Sequence, residues 1–327
     1  MADPVLVRTV LAERGEAMTP ERKEPVGRLH VVIVNYHSSG YVADCVRSLS
    51  EEPVDRVLVV DNGSGEADRN DLARVAAADR RVSVVLSAEN RGFAAAANLA
   101  VQRLAPSDED VVVVLNPDTR VAAGALAALG HAVTRGTFDV VSPVIYTGRA
   151  EHPVVWFAGG RLDLRRGEAL HLAYGRAGPV EQPDAEVTFV TGAAPAMTGR
   201  TWRELGGFRE DLFLYWEDAD LSLRAAARGK RLGVVGDAAI WHAVGGSGDP
   251  SGQSVAKYYY MQRNRILVLR PIVGLRRLVS GAGARFILRG AVHALREPQG
   301  RWRKAGYSML GLYDGMRGRT GPRSLTP

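Results

Sequence analysis

The 327-residue chain contains a single cysteine, Cys45. One thiol builds neither a disulfide framework nor a cysteine-rich zinc site, and such scarcity fits a reducing, cytoplasmic setting. Long apolar runs are also missing, and no stretch approaches the ~18 residues that a transmembrane helix needs. The opening "MADPVLVRTVLAERGEAMTPERKEPVG" has no long apolar segment of the secretory kind. It reads as a short helix and a Pro- and charge-rich linker, so residues 1–28 are expected to form a tail. No G-x-G-x-x-G follows the first strand, where the chain reads "NYHSSGYVAD". Gly229-Lys230 lacks the preceding Gly and following Ser or Thr of a Walker loop. A Rossmann oxidoreductase and a P-loop NTPase are thereby disfavoured. Internal repeats, long low-complexity segments and RNA- or DNA-binding motifs are absent as well, so no nucleic-acid partner is expected.

What is present is a basic, core-rich chain. It is 46% hydrophobic with a formal net charge of +6 and a pI near 9.6. That core suffices for one large domain with a helical appendage. The charge favours anionic partners such as nucleotides or an anionic lipid surface.

From residue 29 strands and helices alternate. "LHVVIVNY", "RVLVVDNGS", "VSVVLS" and "DVVVVLNPDT" are β-branched runs of the kind buried on both sheet faces. "SGYVADCVRSLSEE", "DRNDLARVAAAD" and "GFAAAANLAVQRL" read as the intervening helices. The order predicts an α/β fold with a mostly parallel central sheet flanked by helices. Residues 138–200 read as mixed strands and loops. "RTWRELGG" reads as a helix with a Gly stop, and another helix runs from "YWEDADLSLRAA" to "RGK". "RLGVVG" and "AAIWHAV" read as two short strands. One unit over 29–257 then gives way to a basic helical extension over 258–327, beginning "YYYMQRNRILVLR" and continuing through "GLRRLVSGAGARFILRGAVHALR".

Ligands of such sheets bind beyond the carboxyl ends of the strands. Asn35, Tyr36, Asp61, Asn62, Asn90, Arg91 and Asn116 to Asp118 sit there. A carboxylate at that edge, Asp118, suits a hard divalent cation bridging diphosphate oxygens. Read alone, Asn-Pro-Asp is equally a good turn sequence.

The motifs taken together resemble glycosyltransferase family 2, inverting enzymes of the GT-A fold, and within it the rhamnosyltransferase and galactofuranosyltransferase branch. The resemblance runs from Val31 to about Asn264, through "VVIVNYHSSGYVADCVRSL", "VLVVDNGS", "ENRGFAAAANLAV", "VVLNPDT", "FVTGAAPAMTGRTWRELGGFREDLFLYWEDADLSLRAA", "IWH" and "YYYMQRNRI". It implies a nucleotide-diphosphate sugar donor, dTDP- or UDP-linked with rhamnose favoured. The implied acceptor is a glycan, a lipid-linked precursor or a small-molecule aglycone.

By the same resemblance Asp61 contacts the base, and Asn35 and Tyr36 line the nucleoside pocket. Asn62, Asn90 and Arg91 face ribose or phosphate, and Asn98 belongs to the helix start beside the donor. Asn116 and Asp118 stand at the family's D-x-D motif, with Asn in place of the first Asp. His242, 24 residues after Asp218, matches a distal metal or diphosphate histidine. The implied cofactor is Mg2+ or Mn2+. Gly192 and Ala193 match the loop under the donor sugar. Asp218 matches the base that deprotonates the acceptor, with Glu217 as its partner, and Trp216 and Tyr215 would wall the sugar ring. Asp220 instead suits the helix N-terminus and a pair with Arg224. The Gly-rich segment 245–252 is expected to close over the diphosphate.

A sugar nucleotidyltransferase is the first rival, although "NYHSSG" lacks its Gly- and Lys/Arg-rich loop. A catalytically weak scaffold on the same fold is the second. The basic C-terminal helices leave three readings open: a solvated face, a peripheral contact with the inner face of a membrane, or a homodimer interface.

Overall fold

The computed structural model describes residues 27–149, 151–243 and 253–325. Most of the expected tail and the Gly-rich segment 245–252 lie outside these residues. Four strands, β1 (Leu29–Asn35), β2 (Val54–Asn62), β3 (Val82–Ser87) and β4 (Val111–Leu115), form the first half of the sheet. They pair in parallel in the order β3-β2-β1-β4. Every residue of β1 and β4 is buried, as a strand covered on both faces requires. Helices α1 (Ser39–Ser48), α2 (Glu66–Ala78) and α3 (Phe93–Leu104) provide the crossovers. Ala94 to Ala97 are all buried, so the alanine run of α3 is packing surface.

The second half of the sheet is mixed. β5 (Thr119–Val121) follows β4 directly, and α4 (Ala125–Thr134) leads to β6 (Val140–Arg149). β7 (His152–Phe157) pairs antiparallel with β6, and β8 (Gly160–Asp163) with β9 (Glu168–His171) forms a separate hairpin. β10 (Ala185–Val187) and β11 (Ala196–Thr198) are short, and β11 wedges antiparallel between β4 and β6. The expected pair of strands "RLGVVG" and "AAIWHAV" is one strand, β12 (Leu232–His242). Its register against β6 slips between Val235 and Ala239. At that slip Gly236 donates its N–H to Asp184, and a Cβ there would stand 1.6 Å from the Gln182 carbonyl oxygen. The break in the sequence pattern is this close approach and not a turn.

Helix α5 (Gly199–Leu205) starts under the Thr198 hydroxyl and stops at Gly206 in the left-handed region, matching the sequence signals. Helix α6 (Glu217–Ala227) follows after a short 3-10 turn. Helix α7 (Val255–Val273) begins under an N-cap from Ser254, so the boundary expected at 257/258 falls inside a helix. The segment expected as one helix from Gly274 divides at Ser280 into α8 (Leu275–Val279) and α9 (Gly281–Leu295), and α10 (Arg301–Met316) closes the fold.

These last helices are fastened to the sheet domain by buried arginines. Arg265 is fully buried and donates to the carbonyls of Arg166, Gly167 and Leu278, with its guanidinium 4.4 Å from the Phe286 ring. Burial holds its pKa down to about 10. No helix among the described residues is long and apolar enough to cross a membrane.

Candidate active site

The carboxyl ends of β1 and β4 meet α6 and α7 around a cavity of about 700 Å³, a size suited to a small ligand. One wall carries Asn116, Asp118 and His242. The antiparallel pairing of β12 with β5 sets His242 opposite Thr119, one residue past Asp118. Its Nε2 lies 3.0 Å from Asp118 Oδ1 and 3.3 Å from Asn116 Nδ2. The His242 ring meets the Trp156 indole edge-on at 4.9 Å, and its Nδ1 is buried without a partner.

A divalent cation fits this donor set. Cis ligands held ~2.1 Å from an octahedral ion stand ~3.0 Å apart, the spacing of His242 and Asp118. Rotating the Asn116 amide would turn its oxygen toward the same point. No group of three or more His, Cys, Asp or Glu side chains gathers for a metal among the described residues. Oxygens of a bound diphosphate would therefore complete the shell, the usual arrangement for a small hard cation.

The same cavity is lined by Glu217 and Asp218 at the start of α6. Asp218 accepts N–H bonds from Gly192 (3.0 Å) and Ala219 (2.7 Å). A Cβ on Gly192 would stand 3.4 Å from the Asp218 Cβ, an ordinary contact, so the loop lies against the carboxylate without depending on the glycine. Burial raises the pKa of both acids, and the charge of Asp218 raises that of Glu217 further. Glu217 Oε2 is buried without a hydrogen-bond partner. One negative charge therefore rests on this corner, and the two N–H donors place it on Asp218. Asp220 is turned away and takes Arg224 Nε at 2.6 Å, the pairing expected four residues along a helix.

The segment before α6 is strained. Phe213, Tyr215 and Trp216 all have positive φ, at 68°, 67° and 72°. Asn264 of α7 holds it, because its Nδ2 stands 2.8–2.9 Å from the carbonyl oxygens of Leu212, Leu214 and Tyr215. Arg263 donates to the Leu212 carbonyl as well and fixes Asn264 through its Oδ1. Sequence reasoning missed this clamp. "QRNR" inside a helix reads as a polar face, yet Gln262 to Arg265 are all buried.

The expected nucleoside contacts form a separate cluster. Asp61 is fully buried, with Oδ1 accepting from Asn35 and Oδ2 3.5 Å from Arg69 Nε. Asn35 also donates to Ser64 and Asp68. Asp68 was missed, since an acid in the first turn of α2 reads as a dipole partner. Tyr36 is half exposed and meets the His37 ring edge-on.

Asn62 and Asn90 spend their amides locally. Asn62 receives the Arg91 N–H and donates to Asn90 and to the Gly92 carbonyl, which staples the loop to β2. The Arg91 side chain stays exposed beyond that staple. Asn98 departs from expectation. It bonds both backbone groups of Phe208 and the Glu210 carboxylate, so it joins α3 to the α5–α6 segment and does not line the cavity. Gly192 and Ala193 do line it, as do Tyr215 and Trp216.

Three further lining residues were not singled out, although Thr191 stands inside the quoted "FVTGAAPA" run. His171 is pressed against Trp156 and kept neutral by burial. Lys257 has its pKa lowered by burial, and Thr191 faces the same space.

Comparison with known proteins gives the following. A family model described as "Glycosyl transferase family 2" matches residues 30–175, and one described as "Glycosyl transferase family group 2" matches residues 111–297. The N-acetylglucosaminyl-diphospho-decaprenol L-rhamnosyltransferase of two Mycobacterium tuberculosis strains is 29% identical over 234 residues, covering 64% of this chain and 71% of the relative. A mannosyltransferase from Pyrobaculum calidifontis, solved with GDP-Man and Mn2+, superposes with a TM-score of 0.53 at 16% identity over 96% of this chain and 94% of its own. GalNAc-T7, solved with UDP, GalNAc and Mn2+, gives a TM-score of 0.60 at 15% identity over 90% of this chain. The match spans 56% of the GalNAc-T7 chain. At these identities the two structures share the fold.

Proposed function

This chain belongs to glycosyltransferase family 2 and is a glycosyltransferase of the GT-A fold, and from that premise we propose an inverting transfer of a deoxyhexose, L-rhamnose, from a dTDP-linked donor to a lipid-linked diphosphate sugar. The observation that carries this reading is the meeting of two chemistries in one cavity: Asn116, Asp118 and His242 with Asp218 and Glu217. The Mycobacterium relative supports the choice of sugar and acceptor.

In this reading Asp61 and Asn35 hold the pyrimidine and ribose at the ends of β1 and β2. Asn116, Asp118 and His242 hold the diphosphate side together with Mg2+ or Mn2+, which when bound neutralises charge growing on the leaving group. Asp218 takes the proton of the acceptor hydroxyl as that oxygen attacks the anomeric carbon from the face opposite the diphosphate. Single displacement needs no carboxylate nucleophile and inverts the centre. Glu217, holding its proton, leaves Asp218 as the charged member of the pair. Tyr215 and Trp216 wall the sugar, Gly192 and Ala193 admit it closely, and Lys257 meets the anionic acceptor.

A thermal-shift screen of dTDP, UDP and GDP, with and without manganese, tests the donor side. The expected result is stabilisation by a pyrimidine diphosphate that increases with metal. No shift with any nucleotide would overturn the donor assignment. Retention of the donor's anomeric configuration in the product would overturn the inversion.

A further inference from the structure

Charge is unevenly divided along the chain. Residues 253–327 carry fifteen Lys and Arg against two acids, Glu297 and Asp314. The preceding residues carry 27 against 34, a net negative charge, out of the totals of 42 and 36. The surplus is paired with exposed apolar surface. On α9, Leu288, Val292 and Leu295 stand at helical i, i+4, i+7 spacing and are 63%, 36% and 37% exposed. Arg285, Arg289 and Arg296 form the adjacent exposed stripe of the same helix, and α9 contains no acid. The opposite side of α9 packs inward through Gly283 and Ala294. Helix α10 repeats the pattern: Trp302, Met309 and Tyr313 share a face at i, i+7, i+11 and are 73%, 48% and 46% exposed.

We infer that this face of α9 docks on an anionic lipid surface. Apolar side chains beside a row of arginines are the make-up of a helix lying in a membrane interface. Nucleic acid would need the arginines but not the apolar stripe. A second copy of the same face would bring like charges together. The net negative remainder of the chain turns the basic end toward an anionic surface before contact. Phe286 of α9 lines the catalytic cavity from the inward side of the helix. One helix diameter, about 10–12 Å, therefore separates the lipid plane from the cavity wall, within reach of a headgroup carrying a diphosphate and sugars. This docking rests on the lipid-linked reading of the acceptor for its purpose but not for its measurement.

The experiment is co-sedimentation of the full chain with phosphatidylcholine vesicles, with and without phosphatidylglycerol, at low and high salt. Binding to the anionic vesicles is expected to be at least about tenfold tighter and to weaken with salt. Leu288→Ser with Val292→Ser, and separately Arg285→Gln with Arg296→Gln, should each weaken it about tenfold. All four substitutions are at exposed positions, and both variants should keep the wild-type thermal shift with nucleotide diphosphate. A wild type that ignores anionic lipid overturns the docking, as do variants that bind like wild type. A dimer that Leu288→Ser with Val292→Ser converts to monomer, by light scattering, also overturns it. Vesicle binding without a nucleotide shift would sink the donor reading alone.

Discussion

Glu217 and Asp218 share one buried corner, and burial acts on both in the same direction. Their neighbours separate them, because two backbone N–H groups point at Asp218 and Glu217 Oε2 has no partner. Asp218→Asn should therefore lower kcat by about 10²–10⁴-fold while leaving the nucleotide-diphosphate thermal shift intact; full turnover by this variant would pass the base to Glu217.

The raised pKa of Glu217 also has a stability sign. The folded state keeps a proton that the unfolded chain has released, so stability falls as pH rises above the ordinary value of 4.5. Glu217→Gln should accordingly melt higher than wild type at pH 8, with the gap closing near pH 4, in scans referenced to the ordinary carboxylate range. An equal gap at both pH values would remove the linkage.

In the same cavity, Asp118→Ala and His242→Ala should abolish the manganese-dependent part of the nucleotide shift, read by calorimetry without any turnover. The acids and His242 were legible as residues because a motif surrounds them. His171 and Lys257 were not, since each enters the cavity from a segment with no periodic or motif signal.

Among the elements, the parallel half of the sheet could be read directly, since "VVIVN" and "VVVVL" are too apolar to sit anywhere but between two layers. The mixed half resisted because its strands are short and pair with partners far along the chain, as β11 does with β4 and β6. The loop before α6 shows the same limit. Nothing in "FLYW" announces three residues with positive φ, because the cause lies about fifty positions later at Asn264.

Asn264→Ala would leave buried carbonyls without a donor, a loss of about 1–3 kcal/mol. Urea denaturation should show that loss, and kcat should fall more than KM rises, since the loop sets the position of Asp218. A variant that is equally destabilised yet fully active would make Asn264 a purely structural residue.

For the molecule as a whole, the C-terminal helices are neither a loose appendage nor a second domain of their own. Arg263, Asn264 and Arg265 reach across from α7 and end on main-chain oxygens: Leu212, Leu214, Tyr215, Gly167 and Leu278. A sequence pattern shows where charge and helices lie, but it cannot show a polar side chain bonding to backbone, because every residue supplies the same carbonyl. Removal of residues 253–327 is therefore expected to unfold the sheet domain's catalytic edge, seen as a lost nucleotide shift in a chain cut at Gly252.

That indifference to side chains has a use. A fastening that grips only main-chain oxygens tolerates whatever side chains the gripped residues carry. Leu214, which lines the cavity and is held by its carbonyl, can then be exchanged in a library while the loop that carries it stays seated. The cavity lining at this loop is in this sense a replaceable inlay in a fixed mount.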